Sequence, residues 1–318
     1  MSKNPADFLE ALNQAASHLM AGGLVAFPTE TVYGLGANAE DEAGVKRIYL
    51  AKNRPADHPL IVHIAHPSDL EHFATTVPDY ANHLMRDFWP GPMTLILPRT
   101  KNAKNVITGN QETVGLRIPN HPVALALLLA FKNQGGHGIA APSANRYGSV
   151  SPTNAQAVES ELGDHLDDDD VILDGGSSEV GLESTIIDCT GPSPKILRPG
   201  AITAEMIERS TSMVVADPTT NRIRVSGSHA KHYSPKAKVV IGSAAQAGEG
   251  FIALSDHPTP LGAIRLAEPN NNDEFAAVLY SALRAADEQG LDVVKVLPPE
   301  GDGLAIAIRD RIQRAAAG

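Results

Sequence analysis

From residue 6 to residue 21 the apolar side chains Phe8, Leu9, Leu12, Ala15, Ala16, Leu19 and Met20 recur at helical spacing, and Gly22-Gly23 ends the run as a C-terminal cap does. The pattern predicts a helix that feeds a strand at Leu24 to Phe27. Pro28 stops that strand, and the polar stretch Thr29 to Tyr33 reads as a loop or short extended piece near a sheet edge. Val45, Ile48 and Tyr49 mark a second helix, so Lys52 and Arg54 fall at or just past its C-terminal end, where Pro55 prevents continuation.

Short apolar strands follow at Leu60 to Ile64, Thr94 to Leu97, Val114 to Ile118, Gly138 to Ala141, Val171 to Leu173, Ser184 to Cys189 and Lys195 to Leu197. Helical patterns at Asp79 to Phe88, Val123 to Phe131 and Asn154 to Leu162 lie between them, which predicts an α/β class with a mixed or parallel sheet. The run Asp167 to Asp170 reads as a solvated loop. From about Asp217 to Pro235 the apolar period fades and Thr, Ser, Asn, Arg and His dominate, as in an interdomain linker. Beyond it, strands at Val239 to Ile241, Phe251 to Leu254, Ala263 to Leu266 and Val293 to Leu297, with helices at Asp273 to Glu288 and Gly303 to Ala317, predict a second small parallel sheet with helices on both faces. The expected division is residues 1–210, a linker over 211–236 and a small α/β domain over 237–318.

A chain of 318 residues suits two such units, and 42% hydrophobic with 20% charged residues is a globular composition. No apolar run approaches the length of a membrane span, and the amphipathic start lacks the apolar block of a secretory signal, so a cytoplasmic protein is expected. The net charge of −11 opposes a broad electrostatic grip on nucleic acid, so stable direct binding to it is not expected and any positive surface must be local. The one cysteine, Cys189, follows Ile186 and Ile187 and reads as a packed thiol. No Walker-type phosphate loop, zinc-protease His-Glu-x-x-His or Cys-x-x-Cys motif is present, which removes the commonest ATPase, metalloprotease and thiol-redox readings.

Chemistry concentrates in a few segments. Gly34-Leu-Gly-Ala-Asn-Ala39 satisfies a loose dinucleotide pattern, but Pro28 to Tyr33 separates it from the strand that should precede it; the glycines better suit close approach of a ligand or another strand. Lys52 and Arg54 read either as helix C-terminal charges or as phosphate ligands. Arg117 and Arg198 sit beside apolar strand residues and so need partners; an anionic ligand or acidic residues such as Glu30 or Glu183 would serve. Ser143 in Ala140-Ala-Pro-Ser-Ala-Asn145 lacks the glycines of a nucleophile elbow, and its hydroxyl with the Asn145 amide suits phosphate oxygens instead. His229 and His232 without a third ligand are a weak metal signal, and no protein-held metal is expected.

Together, Phe27-Pro-Thr-Glu-Thr-Val-Tyr-Gly-Leu-Gly-Ala37, Lys52-Asn-Arg-Pro-Ala-Asp-His-Pro-Leu-Ile-Val-His63, Pro142-Ser-Ala-Asn145, Glu183-Ser-Thr-Ile-Ile-Asp188, Arg198-Pro-Gly200 and His232-Tyr-Ser-Pro235 resemble, in order, the longer two-domain members of the YrdC family. The resemblance covers nearly the whole chain. It implies a YrdC-like twisted mixed sheet with helices plus a smaller C-terminal Rossmann-like α/β domain. It also implies a synthase joining L-threonine, bicarbonate or carbon dioxide, and ATP, carried with Mg2+, into threonylcarbamoyl-AMP for tRNA modification. A downstream tRNA threonylcarbamoyl transferase complex is the expected consumer. By the same resemblance Lys52 and Arg54 are the catalytic pair. Thr31, His63, Arg117, Ala141 and Ser184 hold threonine, while Lys52, Arg54, His58, Thr113, Ser143, Asn145, Ser151, Arg198 and Tyr233 hold ATP, with Tyr233 in a segment that closes the pocket. A YrdC-like RNA-binding module without catalysis is the alternative reading.

Overall fold

The computed structural model describes residues 5–216, 223–227 and 233–318. The helix Pro5–Met20 and the strand β1 (Val25–Phe27) form where the apolar spacing places them. The chain then turns through a fully buried Thr29–Tyr33 loop into β2 (Gly34–Asn38), which pairs antiparallel with β1. Gly36 belongs to that strand. A Cβ there would lie 2.6 Å from Ile139 and 2.9 Å from Phe27, so the glycine admits neighbouring side chains rather than a dinucleotide.

The helix Glu42–Lys52 is capped at its start by Asp41 and ends at Asn53 in the left-handed conformation, which puts Lys52 on its last turn. The remaining strands of the first unit are β3 (Ile61–His63), β4 (Met93–Pro98), β5 (Thr113–Arg117), β6 (Ile139–Ala141), β7 (Val171–Ile172), β8 (Thr185–Asp188) and β9 (Lys195–Arg198). They build one mixed nine-stranded sheet in the order β7-β1-β2-β6-β3-β5-β4-β8-β9. β3 pairs parallel with β5 in a register that sets His63 beside Arg117. β8 runs parallel to β4 and antiparallel to β9, with Ile186 opposite Arg198. Apolar clusters fill both faces, one centred on Leu35, Val62, Leu95 and Leu116, the other on Leu12, Phe27, Leu127 and Phe131.

The Asp167 to Asp170 run departs from expectation. The Asp170 side chain is buried and accepts from the Leu24 and Asp167 amides, His18 and Arg47, because the connection into β7 folds back against the first helix. An unpaired carboxylate in such a spot would be costly, and four donors offset that cost.

A second sheet, in the order β10-β13-β11-β12, is parallel throughout: β10 (Lys238–Ile241), β11 (Gly250–Ile252), β12 (Ile264–Ala267) and β13 (Val293–Val296). Its helices, Asn272–Glu288 and Leu304–Ala316, do not flank it on both faces. Val239, Ile252, Val294 and Val296 join Phe275, Leu279, Leu283, Ile308 and Ile312 in one cluster, whereas Phe251 and Ala253 pack with Ala245 on the other side. The physical reason is that β10–β11 and β11–β12 are joined without helices, so a loop covers the second face. The helix-side cluster also takes in Val32, Val150 and Leu182 from the first unit, so the two units share an apolar seam. No described helix is long and apolar enough to cross a membrane.

Candidate active site

A cavity opens on one face of the large sheet, at the ends of β2, β3, β5, β6, β8 and β9, and holds about 530 Å3 of empty space including its mouth. Of the residues singled out from sequence, Thr31, Arg54, His63, Arg117, Ala141, Ser143, Ser184, Arg198 and Tyr233 line it.

Five others do not. Lys52 is buried and points its Nζ at the backbone oxygens of Ser143, at 2.6 Å, and Asn145, so it braces the loop that presents Ser143. Asn145 donates its amide to the Arg146 and Ser149 carbonyls, which closes the same loop on itself. Ser151 gives its hydroxyl to Glu183 at 2.6 Å. His58 packs edge-on against Tyr147. Thr113 opens into a small neighbouring cleft bounded by Pro59, Gln111, Ile186 and Arg224. His229 and His232 lie outside the described residues, as does part of the expected linker.

The electrostatics are unusual for a buried surface. Lys52, Arg54 and Arg198 are all buried, yet none has a carboxylate within 4 Å among the described residues. Arg54 donates to the Pro59 carbonyl and, at 3.3 Å, to Ser226, while its Nε finds no partner among the described residues. Arg198 spends its donors on the Ser184 carbonyl and hydroxyl and on the Ser226 carbonyl. Burial holds all three below their ordinary basicity, and mutual repulsion adds to it: Arg54 acts on Lys52, and Arg198 on Arg54. An anion in the cavity would relieve that cost.

Arg117 differs, because it has the acidic partner that its sequence context required. Its Nη2 meets Glu30 at 2.7 Å, its Nη1 donates to Thr31 and its Nε to the Gly91 carbonyl. The Glu30 oxygens and Arg117 Nη2 are close but not aligned as a hydrogen bond, which leaves directional capacity on both groups. His63, next to Arg117 in the register, is pushed down to about 3 by burial first and by the Arg117 charge second, so it is neutral at ordinary pH. Among the described residues its Nδ1 has no hydrogen-bond partner. A neutral imidazole, a threonine hydroxyl and the Arg117 guanidinium thus line the same cavity as the buried Arg54 and Arg198 and Ser143.

Sequence reasoning gave no site role to three contributors, Thr29, Ser226 and Gly227. Thr29 shares a 2.8 Å hydrogen bond with Thr31 and also donates to the Val32 carbonyl, which shapes the buried loop. Ser226 and Gly227 come from the segment Ile223–Gly227, which docks through Val225 onto Ile61, Ile96 and Ile186 and covers the cavity. Glu183 lines the cavity as its carboxylate-bearing residue and is held by Ser151, Tyr280 and Arg311. The motif context flagged Glu183, whereas nothing in the sequence pointed to Arg311.

Glu40, His72 and His137 also converge, away from the cavity. His72 Nε2 and His137 Nδ1 meet separate Glu40 oxygens at 2.9 and 2.7 Å. The two rings lie parallel with centroids 3.7 Å apart, so their in-plane lone pairs run side by side rather than toward a common point. That geometry suits a hydrogen-bonded clamp that ties the segments after β2 and before β6 to the helix Leu70–Phe73 better than a tetrahedral ion.

Comparisons with known proteins agree with this architecture. The family model described as Telomere recombination, for the Sua5, YciO and YrdC proteins, matches residues 17–200. A second, described as Threonylcarbamoyl-AMP synthase, C-terminal domain, matches residues 202–317. The chain is 39% identical to the threonylcarbamoyl-AMP synthase of Pyrococcus abyssi over 321 residues, covering 95% of this chain and 92% of that one. It is likewise 39% identical to that of Bacillus subtilis over 327 residues, covering 96% and 92%. The crystal structure of P. abyssi Sua5 complexed with L-threonine superposes with a TM-score of 0.85 at 37% identity, covering 97% of this chain and 94% of that one.

Proposed function

The chain belongs to the Sua5, YciO and YrdC family with the C-terminal domain of threonylcarbamoyl-AMP synthases, and we propose on that premise how its cavity performs the reaction. Its activity is that of a threonylcarbamoyl-AMP synthase, a nucleotidyltransferase of tRNA modification, with L-threonine as substrate. This reading prevails over a non-catalytic RNA-binding module.

The co-substrates are ATP and bicarbonate or carbon dioxide. The neutral threonine amine adds to carbon dioxide, forming an N–C bond and releasing a proton. A carbamate oxygen then attacks the α-phosphorus, the new P–O bond forms as the bond to the β-phosphate bridge breaks, and pyrophosphate leaves. No covalent enzyme intermediate is needed, so the protein contributes alignment and charge compensation.

Threonine lies against Thr31, His63, Arg117, Ala141 and Ser184. Arg117 takes the substrate carboxylate with the directional capacity that Glu30 leaves, and neutral His63 accepts or donates one hydrogen bond without competing for the proton. The triphosphate lies against Arg54, Arg198 and Ser143, with Lys52, Asn145 and Ser151 acting through the loops they brace and Tyr233 closing the site. His58 and Thr113 remain in the assignment only as neighbours of the nucleotide end. The observation that carries this reading is the set of three buried cations with no carboxylate within 4 Å among the described residues.

Magnesium fits as an ion delivered on ATP rather than as a resident one. The cavity's lining carboxylate, Glu183, is already committed to Arg311, Tyr280 and Ser151. Mg2+ in such sites keeps waters and leans on substrate phosphates. The product passes to a tRNA threonylcarbamoyl transferase in the cytoplasm.

The test is pyrophosphate release from Mg-ATP by the purified protein, with threonine and bicarbonate omitted in turn. Release that requires both is expected. Release that needs neither would point to another nucleotide chemistry, and no release from folded protein would return the binding-module reading.

A further inference from the structure

Arg311, in the helix Leu304–Ala316 of the second unit, is fully buried against the first. Its Nε donates to Glu183 Oε2 at 2.9 Å and its Nη2 to the Pro199 carbonyl at 2.9 Å. These two acceptors are not arbitrary. Glu183 immediately precedes Ser184, and Pro199 immediately follows Arg198, and Ser184 and Arg198 are the cavity groups that hydrogen-bond each other. One guanidinium therefore fixes both segments on which that pair is mounted.

The surroundings make the grip rigid. Tyr280, from the other helix of the second unit, donates to the same Glu183 oxygen at 2.9 Å, and Ser151 occupies the second oxygen. Arg311 also lies 5.4 Å above the ring of Tyr233, which stacks on Tyr280. The helix Asn272–Glu288 approaches so closely that a Cβ on Gly181 would fall 2.5 Å from the Ala276 carbonyl, and Gly181 adopts a φ of +75°. Burial raises the Glu183 carboxyl, but the Arg311 and Arg198 charges and the Ser151 hydrogen bond outweigh it and hold the group ionised, down to about 2.

Arg198 is thus one of two cations beside this carboxylate, and Arg311 is the one that binds it. We propose that Arg311 is a positioning residue for the nucleotide end of the active site: by engaging Glu183 it keeps that carboxylate from pairing with Arg198, and so leaves the Arg198 charge for the substrate phosphates. The second unit is then a required part of the site. The inference rests on the synthase reading, in which Arg198 meets ATP.

The experiment uses the full chain and compares wild type, R311M, R311K, E183Q and the R311M/E183Q double variant. Folding is checked by circular dichroism. Binding of the non-hydrolysable analogue α,β-methylene-ATP and of threonine is measured by calorimetry, with kcat and KM from pyrophosphate release. R311M should raise the nucleotide Kd on the order of tenfold or more, because a charged hydrogen bond is exchanged for a competing carboxylate. The double variant, which removes the competitor, should regain most of that affinity. A role confined to holding the two units together would make the nucleotide Kd follow the urea midpoint across the four variants rather than the charge at Glu183. R311K keeps the charge but cannot span Glu183 and Pro199 together, so it should fall between wild type and R311M, and it carries the test if R311M does not fold. Wild-type nucleotide affinity in a folded Arg311 variant, or no rescue by E183Q, overturns the proposal. Failure of the wild type itself to bind the analogue or release pyrophosphate would instead overturn the synthase reading.

Discussion

The Arg117 guanidinium stands 2.7 Å from the Glu30 carboxylate, and both side chains are about 95% buried, at 5% exposure each. The pair makes Arg117 at once a structural and a ligand-facing group. Arg117→Ala should destabilise the fold by about 3–5 kcal/mol, since it strands a buried carboxylate, and should abolish measurable threonine binding. The double variant with E30Q should regain stability in urea titrations but not threonine affinity in calorimetry. Recovery of both would show that Arg117 acts only through the fold.

His63 carries a distinct pH signature. Its folded value of about 3 lies below the ordinary 6.5 of histidine, so only the unfolded chain takes up this proton between those limits. Stability is unaffected above pH 6.5 and falls as pH drops below it, by about 1.4 kcal/mol per pH unit until the folded value is reached. In labelled protein the His63 Cε1 resonance should stay flat from pH 8 to pH 5. A midpoint near 6.5 would contradict the buried, neutral ring.

Glu183 works in a lower window. Its folded value, about 2, lies below the ordinary 4.5, so the ionised form contributes stability above pH 4.5 that is lost as pH falls toward 2. E183Q should therefore be less stable than wild type at pH 7, with the gap narrowing between about pH 4.5 and pH 2. A gap independent of pH in urea midpoints would remove the carboxylate from this role.

Lys52 separates a brace from a direct ligand. Its Nζ is spent on the Ser143 and Asn145 carbonyls, so Lys52→Met should lower the melting temperature as well as raise the KM for ATP. Loss of a buried charged hydrogen-bonding group costs about 1.5–3 kcal/mol for each bond removed. An unchanged melting temperature with a large KM effect would mean that Lys52 reaches the phosphates directly.

Most of the secondary structure was legible because apolar period and length signal it. Strands such as β4 and β13 are rich in branched apolar residues, and the helices Asp79–Phe88 and Asn272–Glu288 carry clear stripes. β2 escaped because Gly-Leu-Gly-Ala-Asn has little strand character of its own and is held by its neighbours β1 and β6. Asp170 looked solvated because its partners, His18, Leu24 and Arg47, lie more than a hundred residues away.

Motif resemblance reached the cavity's signature residues, Thr31, His63, Ser143, Ser184 and Arg198 among them, but not the division of labour. Lys52, Asn145 and Ser151 belong to the same motifs as the lining residues, yet they turn to backbone carbonyls and to Glu183. Spacing along the chain shows which residues are near each other, not which way a buried donor points.

The sequence by itself determined the α/β class, the two sheet-forming stretches and the family chemistry, because these follow from local periodicity and from short motifs whose residues act together. The tertiary structure alone decided which cations keep their charge unpaired. Arg117 is met by Glu30, Arg311 is met by Glu183 across 128 residues, and Arg54 and Arg198 have no carboxylate within 4 Å among the described residues. Electrostatic partnership depends on distance through space and on burial, and neither quantity is written in the order of residues along the chain.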